Sequence, residues 1–298
     1  MPSFRSRIIQ RIMHDYKIAL FDNQPVEVRR QRFDTAARRT IHVPHTVKLQ
    51  TLSADGVPSD WLEPDNAVPG RVILYLHGGA YVICSTSTHR GLAGNISQAS
   101  RARLLLINYR LAPEHPFPAA LDDALAAYRW LLGKSFSPEH IAIGGDSAGG
   151  GLTLATALSL RDNHEKMPAA LFLLSPWTDL TFSGESIHTR ANQDPLLHFS
   201  KNDRLVKAYS HGYPLNHPYI SPLFADLHGL PPTFIQVGTE EILYDDSTRL
   251  EQKGRLTGMD ISIEIWPGMW HVFQAFAPYV PEAKQAIDNI GKFIRLRL

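Results

Sequence analysis

Ser147 stands at the centre of Gly145-Asp146-Ser147-Ala148-Gly149, with Gly150 and Gly151 directly after it. The apolar run 141–143 precedes the motif, and the helically patterned stretch 152–160 follows it. A serine on so sharp a strand-to-helix turn needs glycines beside it, because larger side chains would collide with the adjacent backbone. The turn also aims a helix N-terminus, with its free N–H groups, at a reacting carbonyl. That arrangement suits a serine nucleophile in acyl transfer. A phosphate-cradling loop would need the pattern G-x-x-x-x-G-K-[ST], and the lysine is missing. The serine also argues against epoxide or haloalkane chemistry, which would use an aspartate at this position.

A second motif, His77-Gly78-Gly79-Ala80-Tyr81, follows the apolar run Val72–Leu76, where an oxyanion loop belongs. Acyl transfer puts negative charge on the former carbonyl oxygen, and each preset N–H donor lowers that barrier by about 2.7–4 kcal/mol. The expected donors are Gly78 and Gly79, joined by Ala148 beside the nucleophile; Tyr81 is read as a packing residue. With the order serine, acid, histidine, the base has to lie late in the chain. His271, within Pro267-Gly268-Met269-Trp270-His271, meets that condition, whereas His211, His217 and His228 precede the candidate acids. The acid belongs after the run 233–237, where Glu240, Glu241, Asp245 and Asp246 offer four carboxylates. Spacing selects Glu241, with Asp245 as the second candidate. Asp245 and Asp246 also suit the first turn of a helix running to Leu256.

The elements that must position these residues are legible as apolar runs at Val72–Leu76, 104–107, 141–143, 171–174, 233–237 and Ile261–Trp266. Near-continuous apolarity predicts parallel strands covered on both faces. Helical patterns at 119–132, 152–160 and 287–296 alternate with them, giving an α/β fold with a doubly wound, mostly parallel sheet. Segments 46–52 and 59–63 around Asp55-Gly56 predict an antiparallel hairpin at one edge. Two stretches break the alternation, residues 1–45 and the polar insertion 183–218, and both are read as a helical cap over the site. The core is then 46–182 with 219–298.

The 298 residues are 44% hydrophobic and 20% charged with a formal net charge of +1, so no global field favours nucleic acid. The arginines of the first forty residues are read as the wet face of surface helices. Ile8, Ile9, Ile12, Met13 and Tyr16 have helical spacing, not the unbroken apolar stretch of a secretory leader. No run approaches a membrane span of ~18 apolar residues, so stable membrane insertion is not expected. Cys84 is the single cysteine. It excludes an intrachain disulfide and is read as a small buried filler, consistent with a cytoplasmic protein.

Taken together, His77-Gly78-Gly79, Asn108-Tyr109-Arg110-Leu111-Ala112-Pro113-Glu114, Gly145 to Gly150 and Ser175-Pro176-Trp177-Thr178-Asp179-Leu180 resemble the hormone-sensitive lipase-like (family IV) carboxylesterases of the α/β-hydrolase fold. The likeness runs from about residue 70 to the C-terminus. It implies an esterase for short-to-medium acyl esters, a helical cap, no metal or organic cofactor, and homodimers built on the edge of Ile261–Trp266. Two positions depart from the family pattern. Ala80 replaces the fourth residue of H-G-G-G, which leaves both donating N–H groups in place. Glu241-Ile242-Leu243 replaces the usual Asp-Pro-Leu; a glutamate carries the same charge on a longer stem, and the change keeps Asp245 in view. Arg110 and Glu114 are read as a buried ion pair holding a loop, and Asp146 as a structural hydrogen-bonding residue.

The expected reaction is hydrolysis of a small-molecule ester through an acyl-enzyme. A lactone, amide or carbamate hydrolase would use the same groups. A non-catalytic ligand receptor of the same fold would lack the base that His271 supplies.

Overall fold

Residues 2–20, 24–40, 42–198 and 203–298 are described by the structure, a computed structural model. Two helices come first, α1 (Phe4–Leu20) and α2 (Val26–Thr40), followed by the hairpin strands β1 (Val47–Ala54) and β2 (Val57–Pro64). Strand and helix then alternate through β3 (Val72–Leu76), α3 (Thr86–Ser100), β4 (Arg103–Ile107), α4 (Ala119–Gly133), β5 (Ile141–Asp146), α5 (Ala148–Asp162) and β6 (Ala170–Leu174). Two short helices follow, α6 (Ser186–Thr189) and α7 (Asp203–Ser210). The chain ends with β7 (Thr233–Gly238), α8 (Tyr244–Leu256), β8 (Ile261–Trp266) and α9 (Pro281–Arg297). Of the expected cap, residues 1, 21–23, 41 and 199–202 and the side chain of Tyr16 lie outside the described residues.

The eight strands form one sheet in the order β1-β2-β4-β3-β5-β6-β7-β8. The β1–β2 and β2–β4 pairs are antiparallel and the others parallel. The hairpin turns at Asp55 and Gly56, whose φ values of 51° and 85° are what a two-residue turn of this hand requires. Alternate residues of β3 serve the two faces: Leu74 and Leu76 join a core with Leu131, Leu158 and Leu250. Ile73 and Tyr75 join another with Ile96, Ile290 and Ile294. Both faces of the inner strands β3 to β7 are covered, which is why they read as unbroken apolar runs, whereas β8, at the sheet edge, is only partly buried and departs from that expectation. This is the α/β-hydrolase fold that the sequence leads one to expect.

Three features differ from the sequence expectation. Helix α3 has no counterpart there, because its buried positions include Gly91, Ala93 and Gly94 among the larger Leu92 and Ile96. Gly94 packs against Pro44, 2.7 Å from where a Cβ would sit, and α9 comes close at Ala99, where a Cβ on Gly291 would fall 2.5 Å from the carbonyl oxygen. Helix α5 begins at Ala148, so the glycines expected in a turn are buried helical residues. Finally, Arg110 and Glu114 do not pair. Arg110 binds Asp123 of α4 at 2.7 Å and Glu114 binds Arg30 of α2 at 2.8 Å, with Arg110 and Glu114 47% and 43% exposed. Their partners come from helices that sequence spacing cannot bring into view.

Both stretches outside the alternation are tied to the loop after β3. Arg30 of α2 also donates to the carbonyls of Val82 and Ala112, each at 2.7 Å. Tyr209 of α7 stacks on Tyr81 with ring centroids 3.7 Å apart, and its carbonyl accepts the Phe117 N–H at 2.9 Å. Helix α1 turns Met13 and Ile9 inward against the cluster of Met269 and Trp270, and leaves Ile8 and Ile12 exposed. Among the described residues no helix is long and apolar enough to cross a membrane.

Candidate active site

Ser147 occupies the turn between β5 and α5 with φ 53° and ψ −121°, a conformation a non-glycine residue holds only when its surroundings enforce it. The enforcement is steric. A Cβ on Gly149 would lie 1.9 Å from the Leu76 carbonyl oxygen, and one on Gly78 would lie 2.3 Å from Asp146 Oδ2 and 3.1 Å from Ser147 Cβ. The ends of β3 and β5 therefore pack backbone against backbone, and the H-G-G loop is pressed against the serine. Among the described residues the Gly78 and Gly79 N–H groups meet no protein acceptor. Ala148 opens α5, so its N–H belongs to the unsatisfied first turn of that helix.

The base of this loop is held rigidly. His77 is buried and stacks on Tyr109 at 4.3 Å, while the Tyr109 hydroxyl donates to the His77 carbonyl at 2.6 Å. Burial, reinforced by the neighbouring His89, pushes the His77 pKa down to about 3, so the ring stays neutral. Asp146 accepts the Tyr75 hydroxyl at 2.9 Å and lies 3.2 Å from His89 Nε2. Burial opposes its charge, but His89 and the Tyr75 hydroxyl bring its pKa below the usual carboxylate range. It is the hydrogen-bonding residue that the sequence suggested.

His271 follows β8, and its Nδ1 lies 2.9 Å from Glu241 Oε2. The other carboxylate oxygen of Glu241 accepts the Gly238 N–H at 2.7 Å and the Ser175 hydroxyl at 2.8 Å. Glu241 is fully buried and His271 nearly so. Burial works against a charged ring, yet the hydrogen bond and charge of Glu241, with help from Asp194 and Asp146, raise the His271 pKa above its ordinary value.

The other three carboxylates of this loop are engaged elsewhere. Gln10 of α1 donates to Glu240. Asp245 accepts the Ser186 N–H at 2.8 Å. Asp246 accepts the N–H groups of Thr178 and Asp179 at 2.7 and 2.8 Å. Of the two candidates for the acid, the one that meets the histidine is Glu241.

Sequence reasoning overlooked Ser175. Its hydroxyl donates to Glu241 and accepts the Val272 N–H at 3.1 Å, linking the ends of β6, β7 and β8. The only signal was its place at the head of Ser-Pro-Trp-Thr-Asp, directly after an apolar run.

Ser147 and His271 face one cavity of about 330 Å³. Its walls are mainly apolar: Phe33 comes from α2, Leu196 and Leu197 from the stretch after α6, and Ile83, Trp177 and Phe276 from the core. No hydrogen bond joins Ser147 Oγ to His271 among the described residues. Such contacts are often long until a substrate is bound. Cys84 also lines this cavity and is half-buried, not the buried filler expected. Burial above all pushes its thiol up to about 12, which leaves it un-ionised near neutrality. Among the described residues no group of three or more His, Cys, Asp or Glu side chains could hold a metal ion.

Known proteins resemble this chain along most of its length. The pattern of a family described as alpha/beta hydrolase fold matches residues 73–275. An acetyl-hydrolase of Streptomyces hygroscopicus is 40% identical over 275 residues, covering 92% of this chain and 91% of that protein. A crystal structure of EstE5 soaked with p-nitrophenyl butyrate superposes with a TM-score of 0.95 at 42% identity, covering 99% of each chain. An esterase from the bacterial hormone-sensitive lipase family superposes with a TM-score of 0.95 at 40% identity, covering 100% of this chain and 99% of that one.

Proposed function

The chain belongs to the hormone-sensitive lipase-like esterases of the α/β-hydrolase fold and is a carboxylic ester hydrolase, and from that premise we propose that Ser147, His271 and Glu241 carry the reaction. With Nδ1–H donated to Glu241, the Nε2 lone pair of His271 is left to take the Ser147 proton as Oγ attacks the ester carbonyl. Gly78, Gly79 and Ala148 then donate N–H groups to the oxyanion. The His271 proton passes to the departing alcohol, leaving an acyl-enzyme. Water attacks that acyl group with His271 again as base, releasing the acid and restoring Ser147. Glu241 holds the ring's tautomer and stabilises the imidazolium that forms in each half-reaction. The raised His271 pKa supports this role, since it reflects a carboxylate placed to favour the charged ring.

In this reading residues 1–45 and 183–218 form a cap, supported by the presence of Phe33, Leu196 and Leu197 in the cavity wall. A cavity at the small end of the usual range for ligand sites supports short-to-medium acyl esters. The name of the Streptomyces relative and the butyrate ester soaked into EstE5 point the same way. The open edge of β8 is the surface on which a homodimer would form.

The observation that carries the proposal is the Glu241–His271 hydrogen bond in a cavity shared with an elbow serine. Its test is p-nitrophenyl butyrate hydrolysis with fluorophosphonate labelling. Ser147→Ala is expected to lower kcat by roughly 10⁶-fold and to abolish labelling. A Ser147→Ala protein that still hydrolyses the ester or accepts the probe would overturn the assignment.

A further inference from the structure

Asp194 is a carboxylate with no exposure to solvent, and the reaction as proposed does not use it. Its Oδ1 accepts the N–H groups of Leu196 and Leu197, each at 2.8 Å, and its Oδ2 accepts the N–H of Ile242 at 3.0 Å. The first two residues line the acyl cavity; the third directly follows Glu241. One carboxylate therefore joins the wall of the substrate pocket to the loop carrying the acid. Neighbouring contacts run in the same direction. Arg190 donates to the Thr239 carbonyl and lays its guanidinium 3.8 Å from the Tyr244 ring centroid. The Ser186 hydroxyl donates to the Ile242 carbonyl at 2.6 Å. The segment from Ser186 to Leu197 is stitched along the acid loop, and Asp194 is its buried charged stitch.

We propose that Asp194 is a positioning residue for the reaction, fixing the acid loop and the acyl-pocket wall together and placing a second negative charge near the His271 ring. The proposal rests on the reading of Ser147, His271 and Glu241 as the catalytic set. Its chemistry explains why a carboxylate is needed. Among the described residues three N–H donors converge on it from two sides, and an amide would turn its own NH₂ toward one of them, leaving a buried donor opposed by a donor. The charge matters as well. The carboxylates acting on His271 are Glu241 in direct contact, Asp194, and Asp146 at the end of β5, whose own charge is shared with His89. Burial raises the Asp194 pKa, while His271 and the three backbone N–H groups oppose that rise. An anion at this position favours the protonated form of the ring, so neutralising it lowers the His271 pKa.

The test compares Asp194→Asn and Asp194→Glu with wild type by kcat/KM against pH, using p-nitrophenyl butyrate and octanoate, with fluorophosphonate labelling of Ser147 run alongside. Asp194→Asn is expected to reduce kcat/KM by about 10–100-fold. It should also move the acid limb of the profile to lower pH by roughly half to one unit and change the butyrate-to-octanoate ratio. Asp194→Glu keeps the charge but displaces the loop, so its acid limb should stay with wild type while the chain-length ratio changes. A folded Asp194→Asn protein with unmoved limb and ratio would overturn the proposal, even if activity fell, since that loss would be merely structural. If Asp194→Asn does not fold, an unchanged chain-length ratio in Asp194→Glu overturns it instead. Failure of Ser147 to label in wild type strikes the catalytic reading itself, so the two failures are distinguishable.

Discussion

Glu241 and Asp245 are four residues apart, carry the same charge, and have separate tasks. Glu241 holds the His271 ring, whereas Asp245 accepts the Ser186 N–H in the first turn of α8. The two should therefore respond differently to loss of charge. Glu241→Gln is expected to lower kcat by roughly 10⁴-fold, as when the acid of a serine triad loses its charge. Asp245→Asn should stay within about tenfold of wild type, because its amide oxygen can still accept the Ser186 N–H. Steady-state hydrolysis of p-nitrophenyl butyrate by the two variants separates them, and the opposite ranking would make Asp245 the acid. Ser147, His271 and Glu241 were legible in the sequence because chain order and position after a strand are one-dimensional properties. Ser175 and Asp194 were not, because a buried polar side chain takes its meaning from partners 66 and 48 residues away in the chain.

Among the elements, the inner strands β3 to β7 were readable because burial on both faces leaves a continuous apolar run, although β5 extends past the run to Asp146. Helix α3 was invisible for the reverse reason: it packs through glycine and alanine, and closeness leaves no apolar stripe to detect. The attachment of α7 was equally hidden. Its Tyr209 lies flat on Tyr81, immediately beyond the loop that presents Gly78 and Gly79. Tyr209→Ala should remove about 3–5 kcal/mol of stability, as expected for deleting a large buried aromatic ring, and raise KM for butyrate esters as the loop carrying Gly78 and Gly79 loosens. Urea unfolding and Michaelis kinetics on one preparation check both. An unchanged KM would mean that the stack holds the helix without shaping the site.

At the scale of the whole molecule, the ends of the sheet strands carry Ser147, Glu241 and His271, while helix α2 and the stretch after α6 supply part of the cavity wall. A space of about 330 Å³ sets a limit on the acyl chain. Butyrate and hexanoate esters should exceed palmitate in kcat/KM by roughly 100-fold or more, measured with p-nitrophenyl esters in detergent-free buffer. Equal turnover of palmitate would mean that the wall opens to admit long acyl chains. The loop from Glu240 to Asp246 has one more consequence. Its four acidic side chains reach α1, the histidine, the Thr178–Asp179 turn after β6 and the head of α6. Anyone redesigning this enzyme by transplanting that segment from a cousin would disturb four separate regions at once. Tailoring substrate choice is better begun at Phe33, a cavity-wall residue of α2 that lies outside both that segment and the stretch Asp194 ties to it.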